Sequence, residues 1–578
     1  MISFRVWAPN AKQVNVRIDS DLFGMTTGKS GWWFTEIPLA GAGIDYTFIL
    51  DGGEPLPDPR SRWQPNGIHG PSRTVDHAAF SWTDQRWQAK PLSSAIFYEL
   101  HVGTFTPQGT FIAAIDKLDY LVDLGITHVE LMPIAEFSGE RGWGYDSVDL
   151  YAPHHAYGEP NDLKRLVNAC HARGLAVILD VVYNHLGPAG NYLARFGPYF
   201  THRYATPWGQ AVNLDGPGSD EVRRFFCDNA SMWLKDYHFD GLRIDAVHAI
   251  TDTSAVHFLE QLACEVTELQ AQTGRPLALI AESDLNDPRV VRPREIGGYS
   301  VQAQWSDDFH HALHCVLTGE RAGYYADFGS LADLAKALQR VFVYDGRYSA
   351  FRRRRHGRPA SGLSGHSFLG YLQTHDQIGN RAKGERSSHL MSVGRLKIAA
   401  ALVLTAPFIP MLFQGEEWGA TSPFLYFTDH EDPELGRKVT EGRRREFAAF
   451  GWNPEEIPAP QAIETFERSK LNWSEGGKEP HAGILAWHRR LIALRRQTSA
   501  LSNGCIEEVR ISFDETAKWF VVKRGPILVA CNLNQVMQRV PVDVESASRL
   551  LLTSEDNVQL SEDAVELPSD SVAILSAR

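Results

Sequence analysis

Eight apolar, strand-like segments recur between residues 95 and 417: AIFYELHVG, HVELMP, LAVILDVVYN, GLRIDAV, LALIAES, VQAQWS, SFLGYLQTHD and FIPMLFQGEE. Helical patterns lie between most of them, over residues 111–124, 161–173, 220–237, 254–272 and 331–341. Strands that alternate with helices pair in parallel, because each crossover returns the chain to the same end of the sheet. Eight such units predict an α/β fold whose sheet closes into a (β/α)8 TIM barrel. An open, doubly wound sheet is the structural alternative, but no GxGxxG follows the first strand.

The flanks have a different rhythm. Residues 1–88 carry short alternating runs (FRVWAP, VNVRI, WWFTEI, DYTFIL) broken by Gly, Pro and Asn, which predicts a small β-sandwich. The barrel is then expected over residues 89–500, closed by the helical AWHRRLIALRRQ. Alternation returns over residues 501–578 in KWFVVKRG, PILVACNLN and SVAILSA, predicting a second β-sandwich. Two long excursions are expected, over residues 134–160 after the second barrel strand and 186–218 after the third. On a barrel such loops shape the cleft.

Working residues on this fold sit at the C-terminal ends of the strands. In GLRIDAVH, Arg243 and Asp245 are two residues apart, so their side chains share a face of the strand. Strand 3 ends on Asp180, Asn184 and His185, and strand 5 on Glu282. Strand 6 ends on Asp307, Asp308, His310 and His311, and strand 7 on His375, Asp376 and Arg381. A single acid there serves as readily as a helix N-cap, and Asp180 reads as structural. Together they converge on one mouth. Asp245 and Glu282 are 37 residues apart (282 − 245), about one βα unit. Adjacent strand ends can hold two carboxyls ~5 Å apart, the separation of a retaining glycosidase. In that reading Arg243 keeps Asp245 ionised as nucleophile, and the charge on Asp245 keeps Glu282 protonated as acid. Asp376 would stabilise developing positive charge, His185 and His375 would donate to sugar hydroxyls, and Tyr145 would stack beneath a ring.

Net charge is −13, which argues against a nucleic-acid or anionic-membrane partner. The run Arg352–Arg353–Arg354–Arg355 reads as a solvated loop. No apolar run approaches the ~20 residues of a membrane helix, and the opening MISFRVWAPN lacks the pattern of a secretory leader. Six scattered cysteines without a CxxC pair suit buried thiols in a reducing cytoplasm.

Taken together, DVVYNH, GLRIDAVH, Glu282 in LIAESD and THDQ resemble the four conserved regions of the α-amylase superfamily, glycoside hydrolase family 13, in order at barrel strands 3, 4, 5 and 7. The resemblance implies Asp245 as nucleophile, Glu282 as general acid/base and Asp376 as transition-state stabiliser. It implies a cleft lined by residues 243–248, 308–312 and 376–381, which adds His248, Asp308, His311 and Gln377 to Arg243 and Arg381. FRVWAPNA, QTHDQIGNRAKGER and FQGEEWGATSPFLYFTDH resemble the trehalose-releasing members, implying a malto-oligosyltrehalose substrate cleaved at the α-1,4 bond beside its terminal trehalose unit. A 1,4-α-glucan branching enzyme shares the acids and is the rival; a non-catalytic glucan-binding barrel should have lost one of them. No cofactor or metal is expected. Many α-amylases bind calcium near the Asn184 position, but residues 186–218 offer no acid-rich set of oxygen ligands, and no HExxH-like cluster is present.

Overall fold

The computed structural model describes residues 1–38, 41–206, 208–448, 453–542 and 549–576; Ala577, the last residue of the SVAILSA segment, lies outside them. Its centre is a closed parallel barrel. The strands are β1 (Phe97–Leu100), β2 (His128–Leu131), β3 (Ala176–Val181), β4 (Gly241–Ile244), β5 (Ala278–Ala281), β6 (Ala303–Trp305), β7 (Phe368–Gly370) and β8 (Ile409–Phe413). Each pairs in parallel with its neighbours, and β8 closes on β1. Every one of the eight apolar segments holds a strand.

Period-two alternation divides these strands between two cores. Outward side chains such as Tyr98, Val129, Val177, Leu242 and Leu279 join the large cluster beneath the helices. Inward ones (Phe97, Ile178, Ile280, Ala303, Trp305, Leu369, Ile409 and Met411) fill the barrel. One step further along, the interior becomes charged. The register aligns Glu99 with Glu130 and Asp180 with Arg243, all of them buried. A barrel packed with hydrocarbon below and ionisable groups above concentrates charge at its C-terminal mouth.

The opposite end is stapled. Asp240, just before β4, accepts from Val177 N at 2.8 Å and Trp87 Nε1 at 2.8 Å, and pairs with His171 Nε2 at 3.0 Å and Arg275 Nη2 at 3.2 Å. The other nitrogen of His171 lies 2.8 Å from Asp84, which also holds His238 Nδ1 at 2.8 Å. Trp87 stacks on His171 and Trp82 on His238. These contacts lock the segment entering the barrel onto its floor.

The N-terminal strands form two antiparallel sheets, one built on Ile2–Trp7 and Trp32–Ile37, the other on Val14–Ile18 and Asp45–Leu50. At the C-terminal side, five strands from Arg510–Asp514 to Ser571–Ser576 face a three-stranded sheet. The excursion after β2 is pinned by a short pairing of Ala135–Glu136 with Asp149–Pro153. That after β3 carries the hairpin Phe200–Thr206/Gly209–Val212. A third excursion, which the sequence reading did not single out, follows β8 and includes the helix Pro433–Ala448. Its apolar residues are few (Leu435, Val439 and Phe447) among many charges, and exposed pairs of Arg437 with Glu434 and Glu441 run along its surface. No helix among the described residues is long and apolar enough to cross a membrane.

Candidate active site

Arg243 organises the mouth. It is 1% exposed, and its guanidinium reaches three carboxylates. Nη1 donates to both oxygens of Asp180 at 2.7 and 2.6 Å and to Asp245 Oδ1 at 3.0 Å, while Nη2 donates to Glu282 Oε2 at 2.8 Å. The plane lies over Trp305, with Cζ 4.2 Å from the ring centroid. Buried arginine is held by this combination of a planar fork and an aromatic face. The sequence reading gave Arg243 to Asp245 alone; the structure shares it with Asp180 and Glu282.

Asn184 fixes Asp245 from the other side, donating from Nδ2 to Oδ2 and to the backbone carbonyl, both at 2.8 Å. Glu282 Oε2 also accepts from Ala246 N at 2.9 Å; among the described residues no hydrogen bond takes Oε1. Asp180 is fully enclosed. Burial pushes its carboxyl up to about 7 against the pull of Arg243, and Tyr145 Oη donates to it at 2.6 Å. Asp180 therefore positions Arg243 and Tyr145.

Across the cavity, Thr374 caps the short helix His375–Gly379, placing His375 and Asp376 in its first turn. Burial pulls His375 down, but Glu99, against its Nδ1, outweighs this and the net shift is upward. Tyr145 stacks on His375 at 5.0 Å and Trp143 meets it edge-on. Asp376 is raised by burial, opposed by His375, and accepts from Asn380 Nδ2 at 2.9 Å. Asp180, Asp245 and Glu282 share one guanidinium and Asp376 lies across the cavity, an array of acceptor oxygens that favours a cation developing there.

Arg243, Asp245, Glu282 and Asp376 line a cavity of about 590 Å³. Of the residues singled out in the sequence, Tyr145, His185, Arg243, Asp245, His248, Glu282, His375 and Asp376 line it. Burial holds the His185 imidazole down to about 4, so it meets a ligand neutral at ordinary pH. Four others are placed elsewhere. Asp308 is buried and spends its Oδ2 on Val343 N, Tyr344 N and Asn286. His311 packs among Tyr324, Tyr325 and Phe328. Gln377 closes the cap of its own helix through Thr374. Arg381 pairs with Glu320 at 2.8 Å. Successive helical residues diverge by about 100°, so a stretch beside the cleft does not send every side chain into it.

Asn380, inside the expected stretch 376–381, also lines the cavity, and so do residues outside the three expected stretches: Trp143, Asp146, Trp208, Tyr426, His430, Leu435 and Val439. Trp208 stacks on His185 at 4.4 Å. Trp143 donates to Leu425 O at 2.9 Å and crowds Gly379, where an added Cβ would lie 2.0 Å from the indole. Trp143 stands two residues before Tyr145 and Tyr426 falls within FQGEEWGATSPFLYFTDH, whereas Leu435 and Val439 carried no signal.

The model for the α-amylase catalytic domain matches residues 76–204, and one for a domain of unknown function, DUF3459, matches 506–574. The malto-oligosyltrehalose trehalohydrolase of Rhizobium sp. strain M-11 is 49% identical over 99% of this chain and 97% of its own length. That of Arthrobacter ramosus is 51% identical over 93% and 94%. A crystal structure of a putative α-amylase from Salmonella typhimurium superposes with a TM-score of 0.91 at 38% identity, covering 99% of this chain and 97% of that one.

Proposed function

This chain belongs to the malto-oligosyltrehalose trehalohydrolase family of α-amylase-type glycoside hydrolases, and from that premise we propose that it cleaves the α-1,4 bond beside the terminal trehalose unit of malto-oligosyltrehalose, releasing trehalose and a malto-oligosaccharide. The observation that carries the chemistry is the pair of carboxylates on the two arms of Arg243, at the mouth of the cavity. Two acids bridged by one guanidinium are compatible with the ~5 Å of a retaining mechanism; an inverting pair must leave room for a water between them.

In this reading Asp245 attacks the anomeric carbon and forms a glycosyl-enzyme. Glu282 protonates the departing glycosidic oxygen, then takes a proton from the water that frees the sugar. Arg243 and Asn184 hold Asp245 aimed. Asp376 binds ring hydroxyls and, with the surrounding acids, stabilises oxocarbenium-like charge. Tyr145, His185, His248 and His375 contact the ring. Asp308, His311, Gln377 and Arg381 support the walls from behind.

We take residues 1–88 and 501–578 as bracing sandwiches around a catalytic unit of 89–500; the strands preceding β1 and following the last barrel helix, His481–Gln497, support that division. Six cysteines, none of them in a disulfide, favour the cytoplasm, and a charge of −13 disfavours nucleic acid. The test is product analysis by chromatography after incubation with malto-oligosyltrehalose and, separately, with amylose. Trehalose is the expected product. New α-1,6 branches without trehalose would replace this reading with the branching enzyme.

A further inference from the structure

At the base of the loop after β2, outside the cavity, two adjacent histidines meet a glutamate. Glu136 ends the strand Ala135–Glu136, which pairs with Asp149–Pro153, and His154 and His155 follow that second strand directly. The side chains of Glu136 and His154 are 0% exposed and that of His155 is 18% exposed. One ligand atom from each lies within 4.8 Å of the other two.

Their hydrogen bonding is uneven. Glu136 accepts from His155 N at 2.8 Å, and His155 Nδ1 lies 2.7 Å from Oε1. His155 Nε2 faces Glu140 Oε1 at 3.3 Å. His154 is sandwiched against Phe137, with ring centroids 3.7 Å apart. Its Nδ1 sits 3.4 Å from Glu136 Oε2 but out of line for a hydrogen bond, and among the described residues neither ring nitrogen has a partner. A fully buried imidazole with both nitrogens unsatisfied is costly and calls for a partner.

We propose that Glu136, His154 and His155 bind a zinc-class divalent ion that clamps the base of the loop carrying Trp143, Tyr145 and Asp146. Two imidazoles and one carboxylate are a zinc ligand set, and they select against calcium and magnesium, which take oxygen. Tetrahedral bonds of ~2.0–2.1 Å give ligand–ligand edges of about 3.3 Å. Glu136 Oε2 already lies 3.4 Å from His154 Nδ1, and the 2.7 Å contact of His155 Nδ1 with the other oxygen, Oε1, has to give way so that the three ligand atoms face one ion. On metal binding the Nδ1 proton of His155, now donated to Glu136 Oε1, leaves to solvent, while Nε2 keeps Glu140, the outer carboxylate that metal-bound histidines commonly have. The sequence reading expected no metal. Glu136 and His154 are 18 residues apart (154 − 136), and strand pairing, not local spacing, brings them together.

The experiment strips the full-length protein with a chelator and titrates it with Zn²⁺, Ca²⁺ and Mg²⁺ by calorimetry, and with Co²⁺ by visible absorption. One Zn²⁺ per chain is expected, with no calcium or magnesium uptake, a rise in Tm on zinc binding and an intense tetrahedral Co²⁺ spectrum. Glu136→Gln and His155→Asn should each weaken Zn²⁺ by at least 100-fold. If Glu136→Gln does not fold, the part-exposed His155→Asn keeps the test. Failure to bind one equivalent, equal affinity in His155→Asn, or a weak octahedral Co²⁺ spectrum would overturn the proposal.

Discussion

Strand β4 is bounded by two aspartates: Asp240 just before Gly241 and Asp245 just after Ile244. Both are buried, both pair with an arginine, and both sit in clusters that mix acids with histidine. At the floor, every donor around Asp240 is protein: Val177, Trp87, His171 and Arg275. At the mouth, Asp245 is held by Arg243 and Asn184, yet both it and Glu282 border an open cavity. Charge and burial therefore do not distinguish a staple from an active site. What distinguishes them is whether the remaining lone pairs are spent inside the protein or offered to a ligand.

Four experiments probe that contrast. The largest effect is expected for Asp245→Asn: turnover falls by about 10⁴-fold or more, while Tm stays close to wild type and oligosaccharide binding remains measurable. An active Asp245→Asn enzyme would remove the nucleophile. Glu282→Gln should cost about 10²–10⁴-fold on the natural bond and far less on an α-glucosyl fluoride, whose leaving group needs no proton. Equal losses on both substrates would exclude Glu282 as the acid. Asp240→Ala should do the reverse of Asp245→Asn. It strands His171 and Arg275 and costs about 3–5 kcal/mol of stability, read in a denaturation curve, with kcat near wild type below the melting range. A catalytic defect without destabilisation would erase the distinction between the two ends.

The smallest effect is on pH dependence. Burial opposes the charge on His171, but Asp240 and Asp84 win and its pKa is raised; Asp84 and Asp240 are correspondingly lowered. A histidine raised by folding stabilises fully below its unfolded value of about 6.5 and loses that contribution as pH climbs through the folded value. Lowered aspartates contribute above about 3.9 and fail only in acid. The staple is thus strongest between those limits. From pH 6.5 to 9 the wild-type Tm should fall by roughly 1–2 °C more than that of His171→Gln. Parallel slopes would show that His171 carries no charge in the folded protein.

The barrel was legible because strands covered on both faces leave near-continuous apolar runs, and because acids at their ends stand out against that background. Asp245, Glu282 and Asp376 were found in this way, and they do line one cavity. The phase of a helix relative to a cavity is not written in its residues, so Asp308 and Gln377 were expected on the cleft but turn from it, while Asn380, in the same stretch as Gln377, lines it. Long-range partners were equally silent: Glu99 on His375, Trp208 on His185, and the floor contacts joining Asp84 to His171 and His238. The helix Pro433–Ala448 escaped notice because charged residues crowd its sequence and its apolar contacts are few: Leu435 and Val439 on the cavity and Phe447 against Ala382 and Ile457.

A methyl group at position 379 would lie 2.0 Å from the Trp143 indole, so the indole, which forms a wall of the cavity, would have to shift to admit it. Replacing that glycine would displace a wall of the cavity without altering any acid. A lineage could therefore trim which oligomers it accepts by one carbon atom placed behind the wall, leaving the bond-breaking apparatus as it was.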